Sequence, residues 1–111
     1  MDNDKVKAVC AGYAKLIHNE TEIILGRRLE ADRLSDHYAG SNLRYIPLQA
    51  RLKHLLFMTE EIPRLLDAGR VEKAMRWLGF LQGACWAAGI ETLHDAKLRN
   101  APEGASYDKE A

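Results

Sequence analysis

The sequence predicts an all-α domain built on an antiparallel helical hairpin, about residues 43–68 and 70–88, packed with an N-terminal helix and a short C-terminal helix. Apolar residues recur at three- and four-residue spacing along three segments, which is typical of amphipathic helices. Only three residues lie between Asp67 and Val71, so the two arms of the hairpin must run antiparallel. The stretch 77–90 carries no charge. Because a bilayer span needs about 20 apolar residues, we expect this stretch to be buried in protein.

The first helix is predicted from residue 4 on. Asn19 followed by Glu22 has the form of a helix cap with its reciprocal acid, which favours a kink or restart there. In the alternative, the helix continues and Glu20 is buried and paired. We expect the apolar stripe to resume at Ile23 and Ile24, with Leu25 as a further candidate. The stripe before them comprises Val6, Val9, Cys10, Tyr13, Leu16 and Ile17.

The second helix has the clearest periodicity. We place its start between Ser41, a candidate cap, and Pro47, which would fit the first turn. Pro63 should kink its last turns, and Gly69 should end it in the left-handed conformation. Phe57 lies opposite the core stripe, so it should be exposed unless a partner covers it. The predicted core stripe is Leu48, Leu52, Leu55, Thr59, Ile62 and Leu66.

The third helix is apolar on nearly every side, and such a helix needs neighbours all round. Gly79, Gly83 and Ala87 recur every four residues, and Phe80 points to the side where a surface helix would carry charge. Each glycine costs roughly 1 kcal/mol of helix propensity, which close packing against another backbone would offset. We therefore expect a homo-oligomer; in the alternative, the other helices wrap this one. The predicted core face is Val71, Ala74, Met75, Leu78, Gln82 and Cys85, and the predicted interface is Phe57, Trp77, Gly79, Phe80, Gly83 and Ala87.

The C-terminal part of the chain predicts a short helix followed by a tail. Thr92 and Asp95 have the spacing of a capping pair for a helix LHDAKLRN that ends before Pro102. We expect residues 1–102 to form a single domain and residues 103–111 to be disordered.

The composition argues against nucleic acid and membrane lipid as partners. Sixteen basic and sixteen acidic residues give zero formal charge, so no overall field attracts nucleic acid or anionic lipid. Cys10 and Cys85 lack metal or redox spacing, and no hydrophobic leader follows Met1. We expect a cytoplasmic protein with reduced thiols and no membrane association.

Motifs for catalysis are missing from the sequence. There is no GxSxG, P-loop or Rossmann glycine pattern. Glu91 and His94 form an ExxH, but a di-iron site in a helical bundle also needs a second ExxH and two more glutamates. We therefore predict a non-enzyme with no catalytic residues, no metal site and no cofactor.

A small-ligand site is the other chemistry that the sequence supports. Arg44, Arg51 and His54 could contact phosphates beside the ring of Tyr45, within a segment (27–54) of local charge +3. This set predicts a nucleotide ligand bound between subunits. A DNA-binding regulator is a further alternative, but we do not expect nucleic acid as the partner because the third helix is too apolar to be a recognition helix.

The segments HLLFMTEEI and GRVEKAMRWLGFLQGACWAAGIETLHDAKLRN, between His54 and Asn100, resemble a family of small uncharacterised proteins encoded in tailed phages and prophages. The run RWLGFLQG with a following tryptophan is the most specific part. The resemblance implies no activity. It implies a context, the host cytoplasm, in which small accessory proteins bind and inhibit a host or defence component or sequester its nucleotide signal. The resulting hypothesis is a non-catalytic binding protein that self-associates and inhibits such a component, with a nucleotide sponge as the rival.

Overall fold

The computed structural model describes residues 1–101, which form helices and no strand. The predicted all-α class is confirmed. Residue 102 and the predicted tail 103–111 lie outside the described residues. The elements are α1 (Asn3–Leu25), α2 (Asp36–Ala39), a 3-10 turn (Leu43–Tyr45), α3 (Leu48–Asp67), α4 (Val71–Ala87) and α5 (Leu93–Asn100).

Helix α3 is the centre of the fold, because α1 and α4 both pack on it while α5 contacts α4. Five of the six residues predicted for its core stripe are buried, and Leu48 at its first turn is partly buried. Helix α4 is therefore an outer helix, so the alternative in which the other helices wrap it is wrong. The largest fully buried side chains are Tyr13, Ile17, Leu29, Leu56, Ile62, Leu78 and Leu81.

The predicted hairpin is confirmed, with a first arm that begins later than expected. Residues 43–45 form the 3-10 turn instead of the first turn of α3. Pro47 directly precedes Leu48, the first helical residue of α3. At the other end of α3, Gly69 has a φ of 77° and its N–H donates to the Leu66 carbonyl at 3.0 Å. The Arg70 N–H donates to the Leu65 carbonyl at 2.8 Å. These bonds satisfy carbonyls that a helix end leaves unpaired, and they turn the chain into α4.

The predicted restart of the first helix near Asn19 is wrong, since α1 runs unbroken. Residues four positions apart lie on the same face of a helix, so Thr21 is the next core-facing residue after the buried Ile17, and it is fully buried. Its hydroxyl donates to the His18 carbonyl at 2.9 Å, so a polar side chain is accommodated without a break. Ile23 and Ile24 are consequently 78% and 54% exposed, contrary to the prediction that they rejoin the core, whereas Leu25 is partly buried against it.

Helix α5 has the predicted bounds. The Asp95 N–H donates to the Thr92 hydroxyl at 3.0 Å, and the Asp95 carboxylate accepts from the Thr92 N–H, which makes a capping box. The amides of Gln82 and Asn100 exchange two hydrogen bonds, of 2.5 and 2.9 Å, that hold α5 to α4. Among residues 1–101, no helix is long and apolar enough to cross a membrane.

Candidate functional site

An apolar groove of about 240 Å³ lies between the start of α3, the 3-10 turn and the second half of α4; we call it the α4 groove. Arg51 and His54 supply its only polar side chains among the described residues. The apolar lining consists of Leu34, Leu43, Ile46, Leu48, Leu52, Leu55, Phe80, Ala84, Ala87 and Ala88.

The two polar side chains of the groove are held by backbone groups. Arg51 Nε donates to the Ile46 carbonyl at 3.1 Å, which ties the guanidinium to the end of the 3-10 turn. His54 Nδ1 accepts from the Leu34 N–H at 3.0 Å, so the ring proton must sit on Nε2. Burial lowers the pKa of His54, and the charge of Arg33 lowers it further. His54 is therefore an uncharged hydrogen-bond donor at neutral pH, and not the phosphate-binding cation that the sequence suggested.

The other two predicted ligand residues lie outside the groove. Arg44 and Tyr45 are exposed in the 3-10 turn, where the guanidinium carbon of Arg44 lies 5.5 Å from the centroid of the Tyr45 ring. Neither side chain lines the groove. The structure thus brings together Arg51 and His54, and it separates them from the other two residues of the predicted set.

One side of α4 is exposed and carries Gly79, Phe80, Gly83, Trp86 and Ala87; we call it the open side of α4. Four of these five residues belong to the predicted interface. Gly79, Gly83 and Ala87 are exposed there, and Phe80 is 62% exposed at the edge of the groove. Trp86, which the sequence analysis did not include in the interface, is 56% exposed and lines a second cavity beside α5. Its position three residues after Gly83 could have identified it, because that spacing continues the same uncharged side of the helix.

Phe57 and Trp77, the remaining two predicted interface residues, are half-buried. Their ring centroids lie 6.3 Å apart, and the Phe57 ring stacks on His54 at 5.8 Å. Both aromatic rings pack against the core of the hairpin. Phe57 is therefore covered within the chain, and the expectation that it is exposed without a partner is wrong.

The two glycines of α4 lie in open space in the part of the chain that the structure describes. A Cβ atom built on Gly79 or Gly83 meets no atom within 4 Å among the described residues. Both residues have helical backbone geometry, so neither needs glycine to reach a positive φ. Within residues 1–101, no neighbouring atom therefore requires glycine at either position.

A buried polar network that the sequence analysis missed joins α1 to α5. The Tyr13 hydroxyl donates to one carboxylate oxygen of Glu91, and Arg99 Nε donates to the other at 3.3 Å. The guanidinium carbon of Arg99 lies 4.7 Å from the centroid of the Tyr13 ring. Burial raises the pKa of Tyr13, and the hydrogen bond to Glu91 raises it further. Glu91 therefore has a structural role, as the shared acceptor of Tyr13 and Arg99.

The remaining metal-ligating and thiol side chains within residues 1–101 form neither a metal site nor an activated nucleophile. Among the described residues, no group of three or more His, Cys, Asp or Glu side chains could hold a metal ion. Burial raises the pKa of Cys10 to about 11 and that of Cys85 to about 12. Neither thiol is therefore activated as a nucleophile.

In comparisons with known proteins, no family model, no curated protein and no solved structure matches this chain.

Proposed function

We propose that this chain is a non-catalytic helical binding protein that self-associates through the open side of α4 and acts by inhibiting a host or defence protein. The observation that carries the proposal is the exposure of Phe80 and Trp86 on a helix that has no charged residue from Trp77 onward. An outer helix of a monomer normally presents polar residues to water. The inhibitory role rests on the resemblance to small phage proteins.

The glycines support a helix as the covering element. Gly79 and Gly83 cost the monomer roughly 1 kcal/mol each in helix propensity, and no contact inside the described chain offsets that cost. A second α4 crossing at these glycines could approach closely while Phe80 and Trp86 are buried at its edges. Such an arrangement uses the same surface on both subunits, which suits a two-fold homodimer.

Two rival functions have weaker support. A nucleotide sponge needs several cations at one place, whereas the α4 groove holds a single one among the described residues, Arg51, beside the uncharged His54. A DNA-binding regulator needs a polar helix for the major groove. The open side of α4 offers aromatic rings and glycines instead.

Self-association is tested by native mass spectrometry and by light scattering after size exclusion, on gently purified protein. The wild type should be an oligomer, and Gly83→Glu should be monomeric because it places a charge in the proposed helix contact. Gly40→Glu is the matched control: Gly40 is exposed, has a negative φ and also has open space around a Cβ atom. A monomeric wild type, or equal behaviour of both variants, would contradict the proposal.

The same mass spectra test the inhibitory role. A second protein retained in fixed stoichiometry would support an inhibitor, and its loss from Trp86→Ser would place it on the open side of α4. An added mass of a phosphorylated small molecule would instead support the sponge. An oligomer that retains neither would remove both roles and leave self-association alone.

A further inference from the structure

The α4 groove differs from the open side of α4 in having walls. Its floor comes from α3 and one wall from the 3-10 turn and Leu34. The other wall comes from the second half of α4 and from Ala88, which follows α4. Ten of the twelve lining residues are apolar, and none of the twelve is acidic. A concave apolar site with a few convergent polar groups is the usual form of a small-molecule site.

Arg51 and His54, the two polar residues of the groove, each have hydrogen-bond donors without an acceptor among the described residues. Arg51 uses Nε for the Ile46 carbonyl, and its terminal amino groups make no hydrogen bond to the described residues. His54 uses Nδ1 as an acceptor for Leu34, and its Nε2–H has no acceptor within residues 1–101. The two residues are three positions apart on α3 and therefore lie on the same side of the helix. One positive charge and one neutral donor thus border a single apolar space.

We infer that the α4 groove binds a small amphipathic carboxylic acid, with its carboxylate on Arg51 and His54 and its alkyl chain between the 3-10 turn and α4. A carboxylate accepts hydrogen bonds from both donors, and its single charge matches that of Arg51. A polyphosphate would bring several charges to this one cation. At ~30 Å³ for a water-sized group, about 240 Å³ accommodates roughly eight non-hydrogen atoms. This matches the eight carbon atoms of octanoate, with its two carboxylate oxygens outside the apolar space on the Arg51 and His54 donors that border it.

The test compares octanoate with octanol, which has the same chain length and no charge, by NMR titration of the labelled protein. Octanoate should bind saturably, with shifts concentrated at the amides of Leu34, Ala84, Ala87 and Ala88. Octanol should bind about tenfold more weakly, because it lacks the charge-assisted hydrogen bonds. Equal affinities, or shifts spread over other surfaces, would overturn the inference.

A pair of variants isolates the role of Arg51. Arg51→Met should weaken octanoate about tenfold and leave octanol unchanged, since methionine keeps an apolar stem and removes the donors. Lys53→Met removes the same charge from a residue that lines a neighbouring cavity, and it should leave both affinities unchanged. Equal losses in the two variants would reduce the effect to general electrostatics and overturn the assignment. If Arg51→Met fails to fold, the comparison of octanoate with octanol on the wild type still decides.

The α4 groove shares Phe80 and Ala87 with the proposed self-association surface, but the two donors and the rest of its lining lie outside that surface. Gly83 does not line the groove, so Gly83→Glu should keep wild-type affinity for octanoate whatever its oligomeric state. Retained binding in a monomeric Gly83→Glu supports a site within one chain. Loss of binding in a folded Gly83→Glu would mean that the groove requires a second copy, which would overturn the site as described.

Discussion

Replacing Glu91 by alanine should destabilise the fold more than any other single loss of a charged side chain. Glu91 is 7% exposed, and its carboxylate accepts from the Tyr13 hydroxyl and from Arg99. Without it, the fully buried Tyr13 hydroxyl loses its acceptor and Arg99 loses its counter-charge. We expect the free energy of unfolding to fall by about 3 kcal/mol.

The magnitude follows from the exposure of the two donors. Tyr13 is 0% exposed, so its bond to a carboxylate is taken as about 2 kcal/mol, within the usual range for a charged acceptor. The Arg99 side chain is 26% exposed and remains partly hydrated, so its ion pair with Glu91 adds only about 1 kcal/mol. In a domain of this size, a loss of about 3 kcal/mol lowers the melting temperature by roughly 12–24 °C.

Urea unfolding followed by far-UV circular dichroism measures the effect. Glu60→Ala is the matched control, because Glu60 is an exposed glutamate inside α3, and it should stay within about 0.5 kcal/mol of the wild type. Glu91→Gln should lose about 1 kcal/mol, since the amide oxygen can still accept from Tyr13. If Glu91→Ala unfolds at the same urea concentration as Glu60→Ala, the network does not hold α1 to α5.

Three further predictions concern the backbone, the histidines and the thiols. Gly83→Ala should raise the unfolding free energy of the monomer by about 0.5–1 kcal/mol, whereas Gly69→Ala should lower it by about 1 kcal/mol because φ is 77° there. Since burial lowers the pKa of folded His54, the unfolded chain binds more protons below the ordinary histidine pKa, so stability should fall as pH drops from 7 to 5. His54→Gln should reduce this dependence in acid–urea titrations, and part of it should remain because burial also lowers the pKa of His18. The exposed His37→Gln is the control. Burial raises the pKa of both thiols, so a thiol reagent at pH 8 should label them only after denaturation, with the exposed Ser41→Cys as a reactive control.

The elements with strong local signals could be predicted from the sequence. Helix α3 repeats apolar residues over five turns, and its end carries Gly69, so its face and its cap follow from periodicity and backbone geometry alone. Helix α5 is weakly amphipathic, but Thr92 and Asp95 define its start through a reciprocal pair of hydrogen bonds. These features depend on residues within one turn of each other.

Features that depend on contacts between distant residues could not be predicted in the same way. Thr21 occupies a core position because α1 continues past Asn19, and a cap-like pair of residues indicated the opposite. Glu91 looked like half of a metal motif, since its buried partner Tyr13 is 78 positions away in the sequence. For the ligand set, local charge indicated the right neighbourhood but could not show that Arg44 and Arg51 lie on different surfaces.

Folding and the proposed binding use different sides of the hairpin. Helix α3 packs between α1 and α4, and the core of α4 needs only its inner residues, of which Ala74, Leu78, Leu81 and Cys85 are at most 2% exposed. The open side of α4 therefore contributes little to the stability of the monomer. It can keep residues that lower this stability, such as helical glycines and exposed aromatic rings. Exposed apolar surface of this kind promotes aggregation unless a partner covers it. Its persistence on an outer helix is the physical reason to look for the function there, next to the groove that the same helix helps to form.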